Sequence, residues 1–192
     1  MFKLKIDDEL HLELIHFSHA KEMFSVIDSN REVFKKWLIW LDSVQRVEDE
    51  EEAIKGFLSK YAQRRVVNCV IFYKGVLVGD VELGIHKGYG IKKGELGYWL
   101  DSKFHGKGIM QRAAKTMLAM GFNEYALDKI ILKCALSNER SCNVAQKLGM
   151  RHEGRLIGET KLNGVLMDVD IYGILKSEFA RVFSYENTIQ IK

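Results

Sequence analysis

Gly97-Tyr98-Trp99-Leu100-Asp101-Ser102-Lys103-Phe104-His105-Gly106-Lys107-Gly108-Ile109-Met110 is the stretch that decides the fold. It reads as a strand, a short loop and a helix that opens on glycines. From Met110 the apolar residues recur at Ala113, Ala114, Met117, Leu118, Gly121, Phe122 and Tyr125, which marks one buried helix face. Gly106-Lys107-Gly108 lets the backbone approach a ligand with no Cβ in the way. It also aims unpaired helix-start N–H groups, and the positive end of the dipole, at that ligand. Such an end suits a phosphate. Two nucleotide motifs fail here. Asp101 stands where a P-loop requires its first glycine, and Gln111 where a Rossmann fingerprint requires its third.

Downstream, Lys129 to Leu136 reads as a strand, and Ser137 to Met150 as a short helix. Asn138 is a good N-cap, and Gly149 followed by apolar Met150 is a helix stop. This order resembles the GNAT superfamily of N-acetyltransferases. The family's pyrophosphate loop, [Q/R]-x-x-G-x-[G/A], has its counterpart in His105-Gly106-Lys107-Gly108-Ile109-Met110. The central glycine matches, while His105 replaces the usual Gln or Arg and Met110 the usual small residue. The resemblance runs from about Gly94 to about Leu175. The G-Y-W-L strand, the G-K-G-I-M loop and the N-x-x-S helix together resemble the RimJ/RimL-type ribosomal-protein acetyltransferases.

Size and composition set the frame. The 192 residues suffice for one domain with a full core, residues 1–192, and no Pro- or Gly/Ser-rich stretch marks a second. A formal net charge of +3, with basic residues spread along the chain, gives no argument for nucleic acid. Cys69, Cys134 and Cys142 form no C-x-x-C pair, so a cysteine zinc site is not expected, and an odd number of scattered thiols suits a reducing compartment. No apolar run has the length of a membrane span and no signal peptide opens the chain, so the cytoplasm is the expected location.

Upstream, Phe2 to Ile6 and His11 to Ile15 alternate as strands across Asp7-Asp8. Ser18 is expected to cap a helix to about Ser29, and a second helix to carry Val33, Phe34, Trp37, Leu38 and Leu41. Glu48 to Glu52 open a third helix, with Ile54, Phe57, Leu58 and Tyr61 inward and Gln63-Arg64-Arg65 at its end, an arrangement that complements the helix dipole. Val66–Tyr73 and Val76–His86 form a hairpin across Lys74-Gly75, and Gly94–Leu100 adds a third antiparallel strand. Asn163-Gly164 joins a last hairpin, Met150–Leu162 with Val165–Leu175, and the tail from Lys176 is helical, then loose. His11, His16 and His19 are read as surface residues rather than metal ligands. Trp37 and Trp40 belong to the core or to an acceptor pocket.

The resemblance implies a three-layer α/β/α fold whose mixed, mostly antiparallel sheet splays at the cofactor strand. Its co-substrate would be acetyl-CoA, with no metal. The implied cofactor-binding residues are Tyr98, Trp99, Leu100, His105, Gly106, Lys107, Gly108, Ile109, Met110 and Asn138. A backbone N–H near Tyr98–Leu100 would hold the thioester oxygen. Many relatives place a Tyr on the helix after Asn138 to protonate the leaving thiolate, but here the stretch reads Ala145-Gln146-Lys147-Leu148. Ser141 takes the donor role instead, with helix capping as its other reading. Glu159 is the expected general base. It sits one residue from the family position at Thr160, an offset that reverses its strand face unless a bulge intervenes. Glu82, Glu95, His86 or a water are the alternatives. Cys134 lies on the splayed strand, beside the cofactor thiol or inert in the core. The expected acceptor is a protein N-terminus or a small amine, and the expected assembly a homodimer. A catalytically silent CoA-binding module is the competing reading.

Overall fold

The computed structural model describes residues 3–162 and 164–182, and the side chain of Lys87 is outside that description. Eight strands form one sheet: β1 (Lys3–Lys5), β2 (Leu10–Leu14), β3 (Val66–Tyr73), β4 (Val76–Lys87), β5 (Lys92–Leu100), β6 (Lys129–Ala135), β7 (Arg151–Leu162) and β8 (Val165–Leu175). Their order is β1-β2-β3-β4-β5-β6-β8-β7, and only β5 and β6 pair in parallel. The parallel pair needs a crossover, which α4 (Ile109–Asn123) supplies.

Helices cover both faces of the sheet. α1 (Ala20–Ser29), α2 (Arg31–Phe34) and α3 (Val47–Ala62) lie against one face, where Met23, Ile27, Phe34 and Ile54 pack on Val70, Leu77 and Trp99. α4, α5 (Glu139–Lys147) and α6 (Lys176–Val182) lie on the other. There Ala113, Ala114, Met117 and Phe122, the stripe read from the sequence, pack on Cys69, Val81 and Leu83. The alternation of β3 and β4 divides these strands between the two cores. The α/β/α layering and the mostly antiparallel sheet are thus as expected.

Several local expectations need correction. The second helix stops at Phe34, and Leu41–Ser43 form a separate 3-10 turn, so Trp37 and Leu38 sit in an irregular segment. The cap before α1 is His16, not Ser18: its ring Nδ1 accepts from the Ser18 N–H (3.2 Å), and Phe17–His19 form a 3-10 turn. His19 is buried rather than on the surface, with its Nδ1 accepting from the His16 N–H (3.1 Å) and its Nε2 3.4 Å from Glu13. Phe2, Asn163 and the tail past Val182 lie outside the described residues.

A buried polar cluster ties the first helices to the glycine loop. Asn30, between α1 and α2, donates to Asp101 (3.1 Å) and accepts from both the Ser102 N–H (3.1 Å) and the Ser102 hydroxyl (2.7 Å). Asp101 also accepts from the Lys103 N–H (3.1 Å), which caps the turn Ser102–Phe104.

Candidate active site

The site begins where two strands part. β5 pairs with β6 only from Lys93–Lys129 to Leu96–Leu132. Beyond that point β5 stays with β4 as far as Leu100, and β6 stays with β8 as far as Ala135. The β6-facing backbone groups of Gly97–Leu100 are left without a strand partner. Backbone N–H and C=O groups rarely go unpaired away from water, so such a cleft favours a ligand that can bond to them. Two cavities, of about 380 and 750 Å³, meet at this gap and share Trp37, Leu38, Tyr98, Trp99, Asn138 and Ser141.

The smaller cavity holds the glycine loop. Gly106 (φ +79°) and Gly108 (φ +67°) are both left-handed, which strains any L side chain, and a Cβ on either would meet no other atom. The space over the loop is open. No side chain caps α4, whose first intrahelical bond runs from the Arg112 N–H to the Gly108 carbonyl (3.1 Å). The N–H groups of the first helical turn therefore have no helical partner. His105 hydrogen-bonds through Nε2 to the Leu100 carbonyl (3.1 Å), and its Nδ1 accepts from Arg140 (3.0 Å). It pins the loop to the end of β5 and steers a guanidinium to the cavity edge.

Tyr98, Trp99, Leu100, His105, Gly106, Gly108, Ile109, Met110 and Asn138 all line this cavity. Lys107 does not. Its ammonium lies over the rings of Phe104 (5.0 Å) and Tyr73 (5.9 Å), on another side of the loop. The cations that do reach the cavity, Arg140 and Lys147, come from α5 and were not singled out in the sequence. Their one signal is spacing: with Asn143 and Val144 they lie at helical intervals on one face.

At the gap two hydroxyls meet. The Tyr98 hydroxyl and Ser141 Oγ share a hydrogen bond of 3.0 Å, and the Tyr98 hydroxyl also donates to the Ser141 carbonyl (3.3 Å). Burial pushes the Tyr98 phenol well up, against the hydrogen bond to Ser141, so it stays a protonated donor. The N-cap of α5 is Asn138, whose side-chain oxygen accepts from the Ser141 N–H (3.2 Å). That leaves the Asn138 amide NH₂ for a ligand and frees the Ser141 hydroxyl from capping duty. Cys134 and Cys142 are buried, free and in sulfur–sulfur contact at 2.8 Å.

The larger cavity is acidic at its buried end. Glu50 of α3, Asp80 and Glu82 of β4 and Glu95 of β5 line it, with Asn68, His86, Trp37 and Trp40. Burial pushes Glu82 up. It pushes Glu50 up to about 7. Glu82 pairs across the sheet with Gly97, the first residue past the last β5–β6 pairing, and its carboxylate lies over that glycine: a Cβ there would sit 3.2 Å from Glu82 Oε1. Glu159 is elsewhere. A bulge between Leu156 and Thr160 intervenes, but the Glu159 side chain is ion-paired to Lys133 (3.1 Å) and lines neither cavity.

The geometry combines an uncapped glycine loop at a helix start, a gap between two parting strands, and two cavities that meet at that gap. The chain belongs to the GNAT acetyltransferase family, whose domain matches residues 9–151. It is similar to a Bacillus subtilis (strain 168) protein provisionally named a ribosomal N-acetyltransferase, YdaF, at 27% identity covering 93% of this chain and 98% of that one. It is also similar to the ribosomal-protein-serine acetyltransferase of Escherichia coli (strain K12), at 27% identity over 88% and 94% of the two chains. Among solved structures, the microcin C7 self-immunity acetyltransferase MccE, in complex with acetyl-CoA and AMP, superposes with a TM-score of 0.84. That match is 27% identical and covers 89% of this chain and 94% of that one. The present chain is accordingly an N-acetyltransferase.

Proposed function

We propose that this enzyme transfers the acetyl group of acetyl-CoA to a protein N-terminal amine of the ribosomal-protein type. The observation that carries the mechanism is the meeting of the two cavities at Gly97–Leu100, with a hydroxyl pair on one side and the half-buried Glu82 carboxylate on the other. The α4 N-terminus, with Gly106 and Gly108, fits the pyrophosphate, because the loop is uncapped and the space above it open. Arg140 and Lys147 add charge, and Asn138 donates to the pantetheine arm as it runs along Gly97–Leu100.

Glu82 is the general base, directly or through a water. Burial raises its pKa, which makes it a stronger base toward the acceptor ammonium than an ordinary carboxylate. The amine nitrogen attacks the thioester carbonyl carbon, whose oxygen gains charge against an unpaired N–H of β5. The C–S bond breaks, Ser141, backed by the Tyr98 hydroxyl, gives a proton to the sulfur, and the proton that the new amide nitrogen sheds restores the serine hydroxyl, directly or through a water. Holding both reactants in line supplies much of the rate, since effective molarities in such arrangements reach roughly 10⁵ M or more. Cytoplasmic location and a homodimeric state belong to the same proposal. Light scattering at micromolar concentration tests the second.

The test of function is acetylation of synthetic ribosomal-protein N-terminal peptides, scored by mass spectrometry with free and blocked α-amines. Acetyl on the free α-amine alone supports the reading. Acetyl on lysine side chains only, or on none of the peptides while acetyl-CoA raises the melting temperature, overturns it.

A further inference from the structure

The acidic end of the larger cavity is more than the base requires. Antiparallel register sets Asn68, Glu82 and Gly97 in one row across β3, β4 and β5, and Val70, Asp80 and Trp99 in the next. Alternation puts Asn68, Asp80 and Glu82 on the face toward α3, which contributes Glu50. Glu50 and Asp80 are 4% and 6% exposed. Asp80 Oδ2 and Asn68 Oδ1 are buried and have no hydrogen-bond partner.

Among the described residues, no basic side chain forms an ion pair with Glu50, Asp80, Glu82 or Glu95. The cations of this cavity are engaged or at its rim: Lys133 is paired with Glu159, Lys60 lies over Phe57 (5.7 Å), and Arg65 is exposed. Buried carboxylates are ordinarily paired; Lys60 acts on Glu82 through space, but no cation partners Glu50 or Asp80. A metal does not fit the need: no group of three or more His, Cys, Asp or Glu among the described residues could hold one. Trp37, Trp40 and Phe57 on the same walls offer apolar faces suited to an aliphatic cation.

We infer that Glu50 and Asp80 form a subsite for a second positive charge on the acceptor, an ammonium or guanidinium group beyond the amine that is acetylated. The inference rests on the acetyl-transfer reading above and names what that site selects. The N–H donors of such a group would satisfy the idle oxygens of Asp80 and Asn68. Electrostatics agrees: Asp80 is pushed up by burial and then by Glu82 and Glu50, so an entering cation would draw it back toward the carboxylate form. Glu82, Glu95, His86, Lys60 and Arg65 face the same space and set the background against which that happens. The chemistry is shared by two sources: a small polyamine, or an N-terminal peptide with a basic side chain next to its α-amine.

The experiment compares spermidine, a peptide with Lys at its second position, and the same peptide with norleucine there. Wild-type kcat/KM should favour one of the two cationic acceptors over the norleucine peptide by about tenfold or more, mainly through KM. In Glu50→Gln with Asp80→Asn, neutral groups of equal size, that ratio should fall toward one. Calorimetry in two buffers of different ionisation enthalpy should show proton release when the preferred acceptor binds wild-type enzyme, and less in the double variant. Equal kcat/KM for charged and neutral acceptors in the wild type, or a preference that survives both substitutions, overturns the inference. Absence of acetyl transfer to every acceptor would sink the reading of function instead, and the binding isotherms would still decide the subsite. The wild-type comparison stands even if the double variant fails to fold.

Discussion

The two cavities that meet at the strand gap have opposite chemistry. The smaller one offers donors: uncapped N–H groups of α4, the guanidinium of Arg140 and the ammonium of Lys147. The larger one offers acceptors, four carboxylates and an amide oxygen, two of whose atoms bond to nothing. On the proposed reading, an anionic substrate and a cationic one would be sorted to different ends of one slot before either is recognised in detail. The reacting atoms would then meet between them, where the Tyr98 and Ser141 hydroxyls share a hydrogen bond.

The sharpest way to break this division is at the middle. Ser141→Ala should lower kcat and kcat/KM together by roughly 10²–10⁴-fold, with acetyl-CoA affinity nearly intact. Tyr98→Phe should give a smaller loss in the same direction. Unchanged turnover in Ser141→Ala, measured beside its melting temperature, would reduce the hydroxyl pair to a structural bond. Next comes the acceptor side. Glu82 must be deprotonated to act, and burial raises its pKa, so the rate should climb with pH through the raised value. Glu82→Gln should flatten that limb and cost about 100-fold in kcat. A pH profile that keeps its acid limb in the variant would hand the role to Glu95, His86 or a water.

On the donor side, Gly108→Val should weaken acetyl-CoA binding by tenfold or more on folded protein, since φ +67° strains a β-branched residue and its Cβ enters the open space over the loop. Lys107→Ala should change affinity by about threefold or less, because its ammonium faces Phe104 and Tyr73. Equal losses by calorimetry would argue against a backbone cradle. The smallest effect is thermodynamic. Glu50 is held at about 7, against an ordinary value of 4.5 in the unfolded chain. The native state then binds more protons than the unfolded one between those values, so its stability falls as pH rises through that window. The cost reaches at most about 3 kcal/mol above pH 7. Glu50→Gln should make the decline shallower, leaving the share that the raised Asp80 and Glu82 contribute, and parallel melting curves of wild type and variant from pH 4.5 to 7.5 would contradict it.

The two ends also differ in how far the sequence discloses them. The donor end is local: the glycine loop and the helix it opens lie within fifteen residues of one another, so Gly106, Gly108 and Met110 could be read directly. The acceptor end is assembled from Glu50, Asn68, Asp80 and Glu95, each on a different element; the sequence offers Glu82, Glu95 and His86 only as alternative bases, and no spacing betrays Glu50, Asn68 or Asp80. Tyr98 was placed on the right strand, but its hydroxyl partner lies 43 residues away. Glu159, the expected general base, lies away from both cavities for a related reason. The bulge that its offset would need is present, yet the side chain finds Lys133, a contact set by the pairing of β6, β8 and β7 rather than by local sequence. The second helix ended early because the apolar period through Val33, Trp37 and Leu41 also suits a winding segment that buries Phe34 and Leu41 and turns Trp37 to the cavities.

The bonds from Asn30 to Asp101 and Ser102 bear on motion. The segment that carries Trp37 follows Asn30 by a few residues, and the glycine loop follows Ser102 by as few. One buried amide thus fastens the roof of the acceptor slot to the floor of the phosphate cradle. Neither wall can swing away without stripping a 3%-exposed side chain of its partners. The tie is a mortise rather than a hinge: it joins the two walls by bonds that form when the chain folds.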